Sequence, residues 1–126
     1  MDLLLDTHVF IWWNMDHARL GEGVQTAVAD PQNRIVVSAA SVWEISIKRM
    51  IGKLAFQHDT LHAIANGGFE ALAITPEHAD AAGSLPLHRN DPFDRLLIAQ
   101  TKLENLVLVT QDHQLLSYGV PLLGVS

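Results

Sequence analysis

Asp6, Glu44, Asp94 and Asp112 are spread along almost the whole chain, yet each stands close to where a buried apolar run gives way to the next element. Asp6 ends Leu3-Leu4-Leu5, Glu44 follows Arg34-Ile-Val-Val-Ser38, Asp112 follows Leu106-Val-Leu-Val-Thr110, and Asp94 lies one turn into the helix that feeds that last run. If the runs are strands of a parallel sheet, their C-terminal ends share one edge, where open α/β sheets bind ligands. Two unpaired carboxylates about 4 Å apart repel by roughly 4 kcal/mol at an effective dielectric near 20. A cluster of four therefore calls for protons or cations. No lysine stands out as a partner at these strand ends. Oxygen ligands in a chain without cysteine point to Mg²⁺ or Mn²⁺, ions that act on phosphate oxygens.

Each acid also has an ordinary structural reading. Asp6 can cap the helix that begins at Thr7, Ser41 and Glu44 have the spacing of a capping box, Asp94 lies three residues beyond a cap at Asp91, and Asp112 can cap a short helix. Caps do not require convergence; the sheet does. The pair His58 and His62, with Asp59 between them, resembles a helical two-histidine zinc arrangement, but Asp59 serves better as an N-cap and no third ligand presents itself. His8, His88 and His113 adjoin the acidic motifs and suit solvated or hydrogen-bonded roles. Arg89, Arg95 and Lys102, or Lys48, Arg49 and Lys53, could hold phosphate groups or simply face water. Arg95 need not pair with Asp94, because neighbours on a helix point about 100° apart.

The elements that must position these groups follow from periodicity. The opening leucines, with no alternation, read as a strand buried on both faces. Helices are expected over Thr7–Met15, from Gly21 to Asp30, from Ala39 to Met50, from a cap at Asp59 to Ala65, from Pro76 to about Leu85, and onward from Asp91-Pro92. Further strands are expected at Arg34–Ser38, Phe69–Thr75, Leu106–Thr110 and, at an edge, around Pro121–Leu123. The alternation predicts a three-layer α/β sandwich, a mainly parallel sheet of about five strands with helices on both faces. Strand order does not follow. Phe10-Ile-Trp-Trp13 is more apolar than one helix face normally buries, which marks part of it as a contact surface.

The 126 residues, 48% of them hydrophobic, suit a single domain over 1–126. The absence of cysteine excludes disulfides, thiolate zinc sites and a cysteine nucleophile. No apolar run is long enough for a transmembrane helix, and a strand beginning at the second residue leaves no room for a targeting segment, so the expected compartment is cytoplasmic. A net charge of −6 argues against a broad nucleic-acid-binding face but not against a small acidic site whose bound ions reverse the local sign.

Four segments in order, Leu-Leu-Asp-Thr-His at 4–8, Ser-Val-Trp-Glu-Ile at 41–45, Asp-Pro-Phe-Asp-Arg-Leu-Leu-Ile-Ala-Gln at 91–100 and Leu-Val-Thr-Gln-Asp at 108–112, resemble the PIN-domain ribonucleases, particularly the VapC-like toxins. That resemblance implies a PIN-like fold, and it makes Asp6, Glu44, Asp94 and Asp112 the acidic quartet that holds metal and serves catalysis, with Thr110 the supporting hydroxyl. It further implies hydrolysis of RNA phosphodiester bonds with Mg²⁺ or Mn²⁺, restraint by a VapB-like antitoxin, and a homodimer. Two alternatives remain: a PIN-like domain that binds RNA or protein without cutting, and a phosphoacceptor receiver module, which lacks here its lysine near the final strand.

Overall fold

The leucine run forms β1 (Asp2–Leu5), and the structure, a computed structural model that describes residues 1–125, shows why it does not alternate. Leu3 and Leu5 enter one core with Val9 and Phe10, while Leu4 enters a second core with Leu97 and Ile98. Successive side chains of a strand point to opposite faces, so a strand covered on both sides must be apolar throughout. The other strands are β2 (Arg34–Ser38), β3 (Glu70–Leu72), β4 (Val107–Val109) and β5 (Leu122–Leu123). All pairings are parallel and the order is β3-β2-β1-β4-β5, so β1 is central.

Six α-helices connect the strands: α1 (Thr7–Met15), α2 (Glu22–Ala29), α3 (Ala39–Met50), α4 (Thr60–Asn66), α5 (Pro76–Gly83) and α6 (Pro92–Leu103). Apolar residues of α1, α2 and α4 fill the first core, those of α6 the second, and α3 reaches both through Ile45 and Ala40. The chain turns from the β2 side of β1 to the β4 side, which makes the C-terminal ends of β1 and β4 a topological switch point.

The three-layer architecture, the β2 and α3 boundaries and the caps at Asp59 and Asp91 agree with the sequence reading. The third strand is shorter than Phe69–Thr75 because Leu72 pairs with Ser38, after which β2 turns into α3 and leaves nothing for residues 73–75 to pair with. Half of the run Phe10 to Trp13 is unavailable as a contact surface. Phe10 and Ile11 are core residues and the two tryptophans are half-buried against that core, Trp13 packing on Phe69. Exposed apolar surface lies instead around Trp43 and Leu61, which with Val42, Ile64 and Leu72 line a groove of about 570 Å³.

Arg95 is buried, contrary to a phosphate-binding or solvated role. Its guanidinium donates to the carbonyls of Ala82, Leu85 and Pro86 at 2.9–3.0 Å, with longer bonds to those of Gly83 and Arg89. These oxygens belong to the last turn of α5 and to the segment between α5 and α6, where helix and sheet bonding runs out, and one planar fork of donors gathers them. Arg95→Met should therefore strip several carbonyls of this donor and cost roughly 3 kcal/mol of stability. Urea unfolding checks this, and a loss below about 0.5 kcal/mol, the range of ordinary surface changes, would deny the segment its dependence on Arg95.

Candidate active site at the sheet edge

Asp6 follows β1 directly, and its backbone N–H still belongs to the sheet, donating to the Val109 carbonyl at 2.9 Å. It occupies the N-cap position of α1, but its side chain makes no capping bond. The buried carboxylate instead accepts a hydrogen bond from the Thr110 hydroxyl at 2.7 Å, and the Thr110 oxygen accepts from the Asp112 N–H at 3.1 Å. The capping reading of Asp6 is thus corrected: the oxygen a cap would use is turned across the sheet edge. Thr110 is fixed from behind by its own N–H on the Leu123 carbonyl. Gly124, at φ +109°, lies so close that a Cβ there would meet the Thr110 carbonyl oxygen at 2.5 Å.

Glu44 reaches the same edge from α3. The N-cap of that helix is Ser38, whose oxygen accepts from the Ala40 N–H, so Ser41 and Glu44 form no capping box. Ser41 is used elsewhere: its hydroxyl pairs with that of Thr7 at 2.8 Å, both groups buried, and locks the first turn of α3 to the first turn of α1. This contact sets Glu44 beside Asp6, two residues neither of which touches the lock. Glu44 is 3% exposed and accepts from Lys48 Nζ at 2.7 Å, one helical turn on.

Asp91 caps α6, its Oδ1 accepting from the N–H groups of Phe93 and Asp94, with Pro92 in the first turn. Asp94 is left free of the cap and projects toward the edge. Asp112 does two things: Oδ1 accepts from the Gln114 N–H at the start of a 3-10 turn, and Oδ2 receives Arg89 Nη2 at 2.8 Å. Arg89 Nε lies 3.1 Å from Asp94 Oδ2, so one guanidinium joins two acids that are 18 residues apart in sequence. The expectation that no lysine partners these acids is corrected by Lys48, which was readable from its i, i+4 spacing with Glu44. Arg89, read from the sequence as a phosphate-holding or solvated residue, pairs instead with two of the acids.

Electrostatics show that the acids converge. Burial pushes the Asp94 carboxyl up to about 7, reinforced by the charges of Asp91, Asp6 and Glu44 and opposed by Arg89. Asp6 is also raised, by burial first, with the Thr110 hydroxyl and His8 working against it and Glu44 with it. In this conformation no three His, Asp or Glu side chains among the described residues are arranged to hold one ion. The reason is visible: Glu44 is turned to Lys48, and Asp94 and Asp112 to Arg89. The donor set nevertheless fits a hard divalent cation, because buried Asp6 has a neutral hydroxyl where an unprotonated carboxylate needs positive charge. A cleft of about 250 Å³, lined by Asp6, His8, Val9, Trp12, Gln111 and Asp112, opens beside it.

Other basic residues separate into two groups. Arg49 is occupied by the Phe56 and His58 carbonyls and the Thr60 hydroxyl. Lys53 is exposed and lines a small cavity with Glu44 and Lys48, while Lys102 is exposed on α6. His58 precedes the Asp59 cap and forms no metal cluster with His62.

The PIN domain model matches residues 3–120. Ribonuclease VapC22 of Mycobacterium tuberculosis is 30% identical over 127 aligned positions, which cover 94% of this chain and 93% of that protein. The VapBC2 structure from Rickettsia felis, bound to a DNA fragment from its promoter, superposes with a TM-score of 0.70 at 15% identity and 98% coverage of both chains. VapBC-5 of Mycobacterium tuberculosis, from the VapBC family of toxin-antitoxin systems, does so with a TM-score of 0.61 at 17% identity, again over 98% of both chains. At such identities the structural likenesses carry the fold. A receiver module is set aside by topology, since its sheet runs 2-1-3-4-5 and this one runs 3-2-1-4-5.

The raised carboxyls fix the sign of the pH dependence. A carboxyl whose folded value lies above its unfolded value near 3.8 binds more protons in the native state between the two values, so native stability falls as pH rises through that window. The ion-free protein should lose stability between pH 4 and pH 8, with Asp94 contributing on the order of 3 kcal/mol. Asp94→Asn should match the wild type at pH 4 and exceed it at pH 8 in EDTA. Chemical denaturation at the two pH values measures this, and a variant less stable at pH 8 than at pH 4 by the same margin as wild type refutes it.

Proposed function

We propose, from the premise that the chain belongs to the PIN domain family, that it is a metal-dependent ribonuclease acting as the toxin of a toxin-antitoxin pair. The observation that carries the reading is the convergence of four carboxylates at the switch point of a parallel sheet, one of them raised to about 7 by burial and by its acidic neighbours. Asp6, Glu44, Asp94 and Asp112 are the residues that would hold Mg²⁺ or Mn²⁺. Such an ion, when bound, supplies an attacking water of lowered pKa and charge stabilisation for the departing 3′ oxygen of RNA.

The chain's own residues orient that chemistry. Thr110 fixes the Asp6 carboxylate at the wall of the cleft by donating to one of its oxygens. The Thr7–Ser41 lock holds the Glu44 helix at a set distance from β1, and the Asp91 cap fixes the frame from which Asp94 projects. Lys53, exposed beside Glu44, is the basic group we assign to an approaching RNA phosphate. For partners, the reading adds a VapB-like antitoxin and a homodimer. The exposed groove around Trp43 and Leu61 suits an apolar segment of such a partner better than the half-buried Trp12 and Trp13. Among the described residues no helix is long and apolar enough to cross a membrane, which accords with a cytoplasmic site of action.

Purified chain should cleave RNA with Mg²⁺ or Mn²⁺, stop in EDTA and resume on adding the ion back; full activity in EDTA would sink the mechanism. Asp94→Asn should lose cleavage by at least a hundredfold while remaining folded. Asp91→Ala should lose about 1 kcal/mol of stability with its cap and keep substantial activity. The reverse pattern in melts and ribonuclease assays would relocate the site. A folded wild type that binds RNA without cutting it under any divalent ion would favour the non-catalytic PIN-like alternative.

A further inference from the structure

We propose that Arg89 is a built-in counter-ion of the acidic site, occupying Asp94 and Asp112 when no divalent cation does and competing with that cation for them. The inference rests on the metal-binding reading above. Its basis is the engagement of the whole guanidinium. Nε meets Asp94 Oδ2 at 3.1 Å, Nη2 meets Asp112 Oδ2 at 2.8 Å, and Nη1 donates to Gln114 Oε1 at 2.6 Å. With Oδ1 of Asp112 already accepting from the Gln114 N–H, both oxygens of that carboxylate are spoken for. A divalent ion drawn to the same oxygens would bring two positive charges to within a few ångströms of the guanidinium, so the two occupants exclude each other.

The surrounding structure lets the side chain leave without disturbing its backbone. The Arg89 N–H donates to the Tyr118 hydroxyl at 3.1 Å, and its carbonyl accepts from Arg95 at 3.4 Å. Both contacts are independent of the guanidinium. The Arg89 side chain is 26% exposed, so its displaced head stays at the rim, where an RNA phosphate would meet it. Arg95, on the neighbouring helix, is the opposite case: its fork is buried in carbonyls and has no exit. Lys48 also neutralises an acid, but through one bond at the end of a flexible stem.

The test compares full-length wild type, Arg89→Ala and Gln114→Ala, each prepared in EDTA and then desalted, by Mn²⁺ calorimetry and by melting temperature with and without saturating Mn²⁺. If Arg89 competes, Arg89→Ala should bind Mn²⁺ about tenfold more tightly, since two ion pairs, one to each acid, no longer have to be broken. It should melt lower in EDTA, and the rise in melting temperature on adding Mn²⁺ should exceed that of wild type. Gln114→Ala, which removes a tether of the guanidinium but keeps its charge, should bind more tightly by a smaller factor. Weaker or unchanged Mn²⁺ binding by a folded Arg89→Ala would overturn the proposal and make Arg89 an orienting group for the acids. Should Arg89→Ala not fold, unchanged or weaker binding by Gln114→Ala overturns it instead. A folded wild type that takes up no Mn²⁺ would fail at the earlier step, the metal reading itself, before any variant is compared.

Discussion

Burying a carboxylate at the end of the central strand, with a neutral hydroxyl as its side-chain hydrogen-bond donor, is the constraint to which the rest of this molecule responds. Asp6 is 6% exposed, and Thr110 offers one hydrogen bond but no charge. An ionised carboxylate in such a place is costly unless paired, and its neighbours Glu44 and Asp94 raise the cost further. The fold tolerates this because the acids stand on elements that are over-determined elsewhere: β1 by two cores and two neighbouring strands, α3 by its Ser38 cap and the Thr7–Ser41 pair, α6 by the Asp91 cap. Repulsion among Asp6, Glu44 and Asp94 is thus held in place by packing and caps that these three carboxylates do not supply.

The two arginines around the segment between α5 and α6 divide the labour that this arrangement imposes. Arg95 satisfies backbone carbonyls and makes an irregular stretch as fixed as a regular one, whereas Arg89, carried by that stretch, faces the acids. A lysine could not replace Arg95, since its compact ammonium lacks the broad fork of donors that spans these carbonyls. Stability and site chemistry are therefore served by similar side chains six residues apart, distinguished only by what each is pointed at.

Much of this was legible in the sequence. The non-alternating strands, the Asp59 and Asp91 caps and the sandwich architecture follow from local patterns, and the parallel sheet forces the four acids to one edge. What stayed hidden depends on pairs distant in sequence. Asp6 has the position of a cap but not its bond, because Thr110, 104 residues away, offers its carboxylate a better-placed donor. Ser41 has capping-box spacing, yet Ser38 already fills the cap and Thr7 takes the Ser41 hydroxyl. The apolar run at Phe10 reads as excess for a single face, but a helix beside the centre of the sheet meets Phe56 and Phe69 as well as β1. The Trp43 groove went unnoticed because its lining comes from two helices and two strands.

The place of β1 between β2 and β4 has a consequence for synthesis. During translation the first strand emerges early and can pair with β2, but its other edge stays open until residues 107–109 have been made. Thr110 and Asp112 arrive only then, and with them the hydroxyl that orients Asp6 and the acid that Arg89 holds. Pairings so distant along the chain also close slowly. A chain made only as far as residue 106 consequently carries Asp6, Glu44 and Asp94 but neither Thr110 nor Asp112, so the acidic edge is completed only once β4 and the residues that follow it have been made.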